Sequence, residues 1–272
     1  MTLEIISRIS KGSKIDQIYI PKNRSWFETG NYVLVKPLAQ NEISGRDIEK
    51  PFIYGVSKIS PIKIEIIKSI FSLINKNFCP DNVIITGSFL EEGFKFNDID
   101  ILIVDEKKQD YKELKHVLEE KIGINIHILS LTSSELREGV SSDPLYENML
   151  SKFISCKRII LNIKRKILPK LLDLHLLKSK SIIDNFDILN GSEKYYLTKN
   201  MIAISLFIES KKVSNESINK EIKNKLKVEA DDIKKNMIDK ESFLRWYTKE
   251  YSRVFTMILH MIKKKENKDG PK

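Results

Sequence analysis

Two carboxylates one residue apart, Asp98 and Asp100, stand in the apolar run DIDILIV, ten residues after the serine of a Gly87-Ser88 pair. On a strand, positions i and i+2 share a face, with side chains about 6.5–7 Å apart. Ile99, Ile101 and Ile103 then point the other way, toward a covering helix. Such a carboxylate pair can share hard divalent cations, each taking oxygen ligands. Two ions about 3.5–4 Å apart can activate an attacking oxygen and stabilise a departing pyrophosphate. Gly87 lets the chain turn sharply after NVIIT. Ser88, opening a short helix, offers a hydroxyl and backbone N–H groups to a phosphate. Together these residue types describe a site for a nucleoside triphosphate and its metal. The plainer alternative makes Asp98 a strand-edge cap and Asp100 a surface residue, leaving a charge inside IDILIV that is costly without a neutralising partner.

The flanking segments read as the elements that would position this pair. PIKIEIIKSIFSLINKNF carries an apolar helical stripe (Ile62, Ile66, Ile67, Ile70, Phe71, Leu73, Ile74) opened by Pro61. NVIITG and DIDILIV read as buried strands, DYKELKHVLEEKIG as an amphipathic helix stopped by Gly123, and INIHILSL as a third strand. TSSELREG begins a helix with acceptors at its start, DPLYENMLSKF looks helical, and CKRIILN reads as a last short strand. From IKRKILPKLLDLHLLKSK onward the pattern is helical, broken at Asn190-Gly191 and near Lys211. The final helix sets Phe243, Leu244, Tyr247, Tyr251, Val254, Phe255, Ile258 and Leu259 on one face, a core stripe. The expected fold class is α+β. Residues 1–45 form a small β-rich unit, 46–60 a connector without regular period, 61–162 the α+β core, 163–266 a helical domain and 267–272 a basic tail.

At 272 residues with 41% apolar and 31% charged residues, the chain has the composition of a folded globular protein and ample core material. No stretch approaches about 18 uninterrupted apolar residues, so no transmembrane helix is expected. MTLEIISRISKGSK lacks the pattern of a signal peptide, so the expected location is cytoplasmic. Cys79 and Cys156 stand apart and suggest neither a zinc site nor a disulfide framework. A net charge of +10 biases the surface toward polyanions, DNA or RNA among them.

GSFLEEGFKFNDIDILIV resembles the signature of the DNA polymerase β-like nucleotidyltransferase superfamily: Gly-Ser, a spacer, then Asp-x-Asp in an apolar strand. The likeness covers residues 61–140 and implies a mixed-sheet nucleotidyltransferase core. It further implies that Gly87 and Ser88 contact the triphosphate of an NTP such as ATP, and that Asp98 and Asp100 bind Mg²⁺ or Mn²⁺. The implied reaction moves a nucleoside monophosphate onto an acceptor hydroxyl or phosphate with release of pyrophosphate; the acceptor itself is left open, RNA and protein being candidates. The superfamily commonly carries a third carboxylate on the next core strand. Here that strand offers Asn125 and His127, while Glu91 and Glu92 sit in the spacer, away from the family position. His127 can be read as a metal ligand, better suited to Zn²⁺ or Mn²⁺ than to Mg²⁺, as a general base, or as a hydrogen-bonded strand residue. The missing acid keeps a second class open: a catalytically degenerate protein that binds nucleotide or nucleic acid in a regulatory role, toxin–antitoxin systems included.

KIDQIYIPKNRSWFETGNYVLVKPL is similar, more faintly, to one half of the AbrB-like swapped-hairpin DNA-binding fold, with Pro21, Gly30 and Val33 in place. That likeness implies a homodimer that brings Lys11, Lys14, Lys22 and Arg24 to DNA or RNA. The alternative is a β-appendage packed on the core.

Overall fold

A computed structural model describes residues 9–10, 17–18, 50–94, 96–107, 109–160 and 164–266. Within the N-terminal unit, β1 (Ile9–Ser10) pairs antiparallel with β2 (Gln17–Ile18). The remainder of the AbrB-like segment, with Pro21, Gly30, Val33 and the four basic residues, lies outside the described residues, as does the 267–272 tail.

The rest of the first unit is a sheet covered by helices. Its elements are β3 (Phe52–Tyr54), α1 (Pro61–Asn77), β4 (Asn82–Thr86), a 3₁₀ turn (Ser88–Leu90), β5 (Asp98–Val104), α2 (Lys112–Ile122), β6 (Asn125–Leu131) and β7 (Phe153–Ser155). The strand order is β3-β7-β4-β5-β6, antiparallel throughout except for the β5–β6 pair. The sheet is therefore mixed and open, and the fold is mixed α/β. Because parallel strands need a crossover, α2 carries the chain from β5 back to the start of β6. Gly123, in the left-handed region at φ 71°, ends that helix.

Alternation along the strands sorts the two faces of the sheet. Val83, Ile85, Ile99, Ile101, Ile103 and Ile126 form one buried cluster with Ile67, Ile70 and Phe71 of α1 and Leu114 and Leu118 of α2. Asp98 and Asp100 fall on the other face, as the two-residue period requires. Burying the apolar stripes of α1 and α2 at about 25 cal/mol per Å² holds both helices on the sheet and leaves the carboxylate face clear of them.

Two features of this unit differ from the sequence reading. The connector 46–60 contains β3, an edge strand paired with β7 and held by stacking of Tyr54 on Phe153, 4.3 Å between ring centroids. Three residues are too few to display a period. Among the described residues the last strand is β7, just before the CKRIILN segment; Cys156 N–H continues the ladder to Val83 O at 2.9 Å.

The second compact unit comprises residues 137–151 and 161–272, so it takes in α4 (Pro144–Met149) and the end of α3 (Ser133–Ser142) as well as the helical domain expected from residue 163. Polar contacts explain the grouping. Arg165 Nε donates to Glu147 at 2.8 Å, Lys166 N–H donates to Ser141 O at 2.7 Å, and His175 meets Asp143 at 3.0 Å. Asp143 also caps α4, accepting from Leu145 N–H. The other helices are α5 (Pro169–Asp184), α6 (Gly191–Ile208), α7 (Asn215–Leu226), α8 (Ala230–Lys234) and α9 (Lys240–Glu266). The sequence breaks at Asn190 and after Lys211 fall at N-caps: Asn190 and Ser214 each build a capping box. The α6 segment Met201–Ile208 is buried on all sides, as expected of a helix at the centre of a bundle. Phe243, Tyr247, Val254 and Ile258 of α9 are core, whereas Phe255 and Leu259, expected on the same stripe, are exposed.

An ion-pair network ties α6 to α9. Arg253 donates to Glu209 at 2.9 Å and to Glu250 at 2.6 Å, and Lys225 donates to Glu250 at 2.7 Å. Burial alone would raise the Glu209 carboxyl, but hydrogen bonds and charges from Lys211 and Arg253 outweigh it and bring the group down to about 2. The unfolded carboxylate titrates near 4.5, so this stabilisation is complete above that pH and is lost as pH falls toward 2. Glu209→Gln is expected to cost about 1.5–3 kcal/mol at pH 7, the scale of hydrogen bonds to charged groups. Thermal denaturation should show the gap to wild type closing as the pH is lowered from 4.5; a gap independent of pH would contradict this assignment.

Candidate functional site

The site is built where β4 ends and β5 begins. Antiparallel pairing sets Thr86 opposite Asp100, and parallel pairing on the other side sets Asn125 opposite Asp98 and His127 opposite Asp100. Residues opposite one another share a face, so the register places the imidazole beside the two carboxylates. His127 Nδ1 lies 3.4 Å from Asp98 Oδ2 and 3.5 Å from Asp100 Oδ1. One ligand atom from each of the three residues can be chosen so that all lie within 4.8 Å of one another.

Immediately after β4 the chain reverses through Gly87 at φ 85°, ψ −164°, a region essentially reserved for glycine. The Asp100 carboxylate occupies the space beside it: a Cβ at position 87 would fall 2.2 Å from Asp100 Oδ2. The glycine thus lets the turn approach the carboxylate. Ser88 begins the 3₁₀ turn and is exposed, while Phe89 and Leu90 are buried in the core and anchor the turn. Gly87, Asp98, Asp100 and His127 are therefore brought together, with Ser88 next in the chain. Asn125 is exposed beside Asp98.

Of the two spacer acids, Glu91 has other partners. Glu91 receives Lys152 Nζ at 3.0 Å, and its carbonyl accepts from Lys63 Nζ at 2.7 Å. Lys63, to which the sequence analysis assigns no role, holds the spacer. Its side chain is buried on α1, with the ammonium 5.1–5.4 Å from the ring centroids of Phe89, Phe94 and Phe96. Burial holds the ammonium below its usual range, opposed by the Glu91 charge. Lys63 precedes Ile66 and Ile67 at helical spacing, so a lysine inside an apolar stripe was the available signal.

A cleft of about 340 Å³ opens beside His127, lined in part by Tyr111, Lys112, Lys115 and Ser130. Its lysines already have acidic neighbours, Asp110 at 3.1 Å and Glu119 at 3.7 Å, which weakens the cleft as an anion trap.

The donor set fits a divalent cation. Two carboxylates supply charge and hard oxygen ligands, an imidazole supplies nitrogen, and the 63% exposure of the His127 side chain leaves room for water or substrate oxygens. Among the described residues no helix is long and apolar enough to cross a membrane. No family model matches the sequence, and no curated protein or solved structure is detectably similar to it.

Proposed function

We propose that the protein is a divalent-metal-dependent nucleotidyltransferase of the DNA polymerase β-like kind, moving a nucleoside monophosphate from an NTP to an acceptor on RNA or protein. The observation that carries this reading is the contact between the Gly-Ser turn and the Asp-x-Asp strand. Gly87 is packed against the Asp100 carboxylate so closely that no side chain fits between them. That contact sets a turn whose N–H groups can face a phosphate beside carboxylates that can hold its metal.

In this reading Ser88 and the N–H groups of its turn hold the phosphates, and Asp98 and Asp100 hold the metal. When bound, the divalent ions would neutralise the triphosphate, activate the acceptor oxygen and stabilise the leaving group. The acceptor oxygen forms a bond to the α-phosphorus as the bond from that phosphorus to the bridging oxygen breaks. Pyrophosphate departs, and the acceptor proton goes to solvent at the open face. The net charge of +10 suits a polyanionic acceptor.

A second reading, nucleotide or nucleic-acid binding without turnover, is favoured by one observation: His127 rather than a third carboxylate stands across from Asp100. Incubation with α-³²P-labelled NTPs, Mg²⁺ or Mn²⁺ and a cell extract separates the two. Transfer of label to an acceptor by wild type, and its loss in Asp100→Asn, is the expected result. NTP binding with no labelled product under either metal would favour the second reading.

A further inference from the structure

We propose that His127 Nδ1 is the third protein ligand of the metal held by Asp98 and Asp100, and that it makes the site prefer a transition-series divalent ion, Mn²⁺ or Zn²⁺, over Mg²⁺. This rests on the reading of the two aspartates as cation ligands.

Three observations converge. The imidazole is placed by backbone pairing, because the β5–β6 register sets His127 directly across from Asp100 on the carboxylate face. Its Nδ1 is then nearly equidistant from the two carboxylates, at 3.4 and 3.5 Å. Both distances exceed the ordinary N–H···O range of about 2.7–3.2 Å. A general base steered by an aspartate needs a short hydrogen bond to one carboxylate; a nitrogen set evenly between two, beyond hydrogen-bond reach of each, is placed as a ligand to something between them.

The donor chemistry points the same way. Mg²⁺ favours oxygen and gives up its water reluctantly, whereas imidazole suits Zn²⁺ and other transition ions. Replacing a carboxylate by an imidazole also removes one negative charge, which weakens the site most for an ion that depends on charge alone. The 63% exposed His127 side chain can be changed with little effect on folding.

The test uses the full chain without nucleotide. Mn²⁺ binding is followed by electron paramagnetic resonance, Mg²⁺ and Zn²⁺ by competition, and nitrogen coordination by electron spin-echo modulation. Wild type should bind Mn²⁺ about tenfold or more tighter than Mg²⁺ and show ¹⁴N modulation from a coordinated imidazole. His127→Ala should lose that modulation and weaken Mn²⁺ binding about tenfold or more, a loss typical even of changes one sphere further out. His127→Asp should lose the modulation while gaining Mg²⁺ affinity. Mn²⁺ bound without nitrogen modulation, or a Mn²⁺/Mg²⁺ ratio unchanged in His127→Asp, would overturn the ligand assignment and leave the aspartate site standing. Mn²⁺ binding that survives Asp98→Asn with Asp100→Asn would instead remove the site itself.

Discussion

Gly87→Ala is expected to weaken divalent-metal and NTP binding and to lower any nucleotidyl transfer about 100-fold, the scale on which a group misplaced by about 1 Å costs rate. Two effects combine at this position. The backbone at φ 85°, ψ −164° costs an alanine about 1–3 kcal/mol of strain, and the added Cβ would fall 2.2 Å from Asp100 Oδ2 and 3.1 Å from its Cγ. The carboxylate must swing away or the turn must re-form, and either movement separates Asp100 from the Gly-Ser turn. Gly93→Ala supplies the control. Gly93 also has positive φ, at 79°, but a Cβ there meets nothing within 4 Å. It should show a modest loss of thermal stability and unchanged metal affinity. Equal metal-binding losses in both variants would assign the effect to backbone strain and contradict the contact with Asp100.

Much of this site could be read from the chain because it is local. Gly-Ser, the spacer and Asp-x-Asp lie within fourteen residues, from Gly87 to Asp100, and the two-residue period alone puts both aspartates opposite Ile99 and Ile101. The breaks of the helical unit were equally local: Asn190-Gly191 and the neighbourhood of Lys211 interrupt the helical pattern, and the N-caps Asn190 and Ser214 lie at or close to them. What could not be read depends on pairing between distant segments. The sequence places Asn125 and His127 on one face of their strand, but only the β5–β6 register decides that His127 meets Asp100 while Asn125 lies across from Asp98. The insertion of β7 between β3 and β4 is of the same kind. Lys63 was hidden for another reason: a lysine is expected to extend to solvent, and its burial follows from three phenylalanines and a carbonyl supplied by the spacer.

On the proposed function the Gly-Ser turn would hold phosphate, and the carboxylates and imidazole a metal, so variants of the three should differ in kind. Changes at His127 should alter which metal binds, and changes at Gly87 should disturb the turn and the carboxylate together. Removing both carboxylate charges should eliminate the site. Asp98→Asn with Asp100→Asn keeps side-chain volume but leaves only neutral carbonyl oxygens, weak ligands for a divalent ion. Both side chains are partly exposed, 31% for Asp98 and 41% for Asp100, so the fold has little reason to change.

The most direct measurement is calorimetric titration of a nonhydrolysable NTP into wild type and this double variant, with Mn²⁺ and without metal, after circular dichroism has established that both are folded. The predicted result is metal-dependent NTP binding by wild type and no measurable binding by the folded double variant. Equal NTP and metal affinities in the two proteins would contradict the assignment of Asp98 and Asp100.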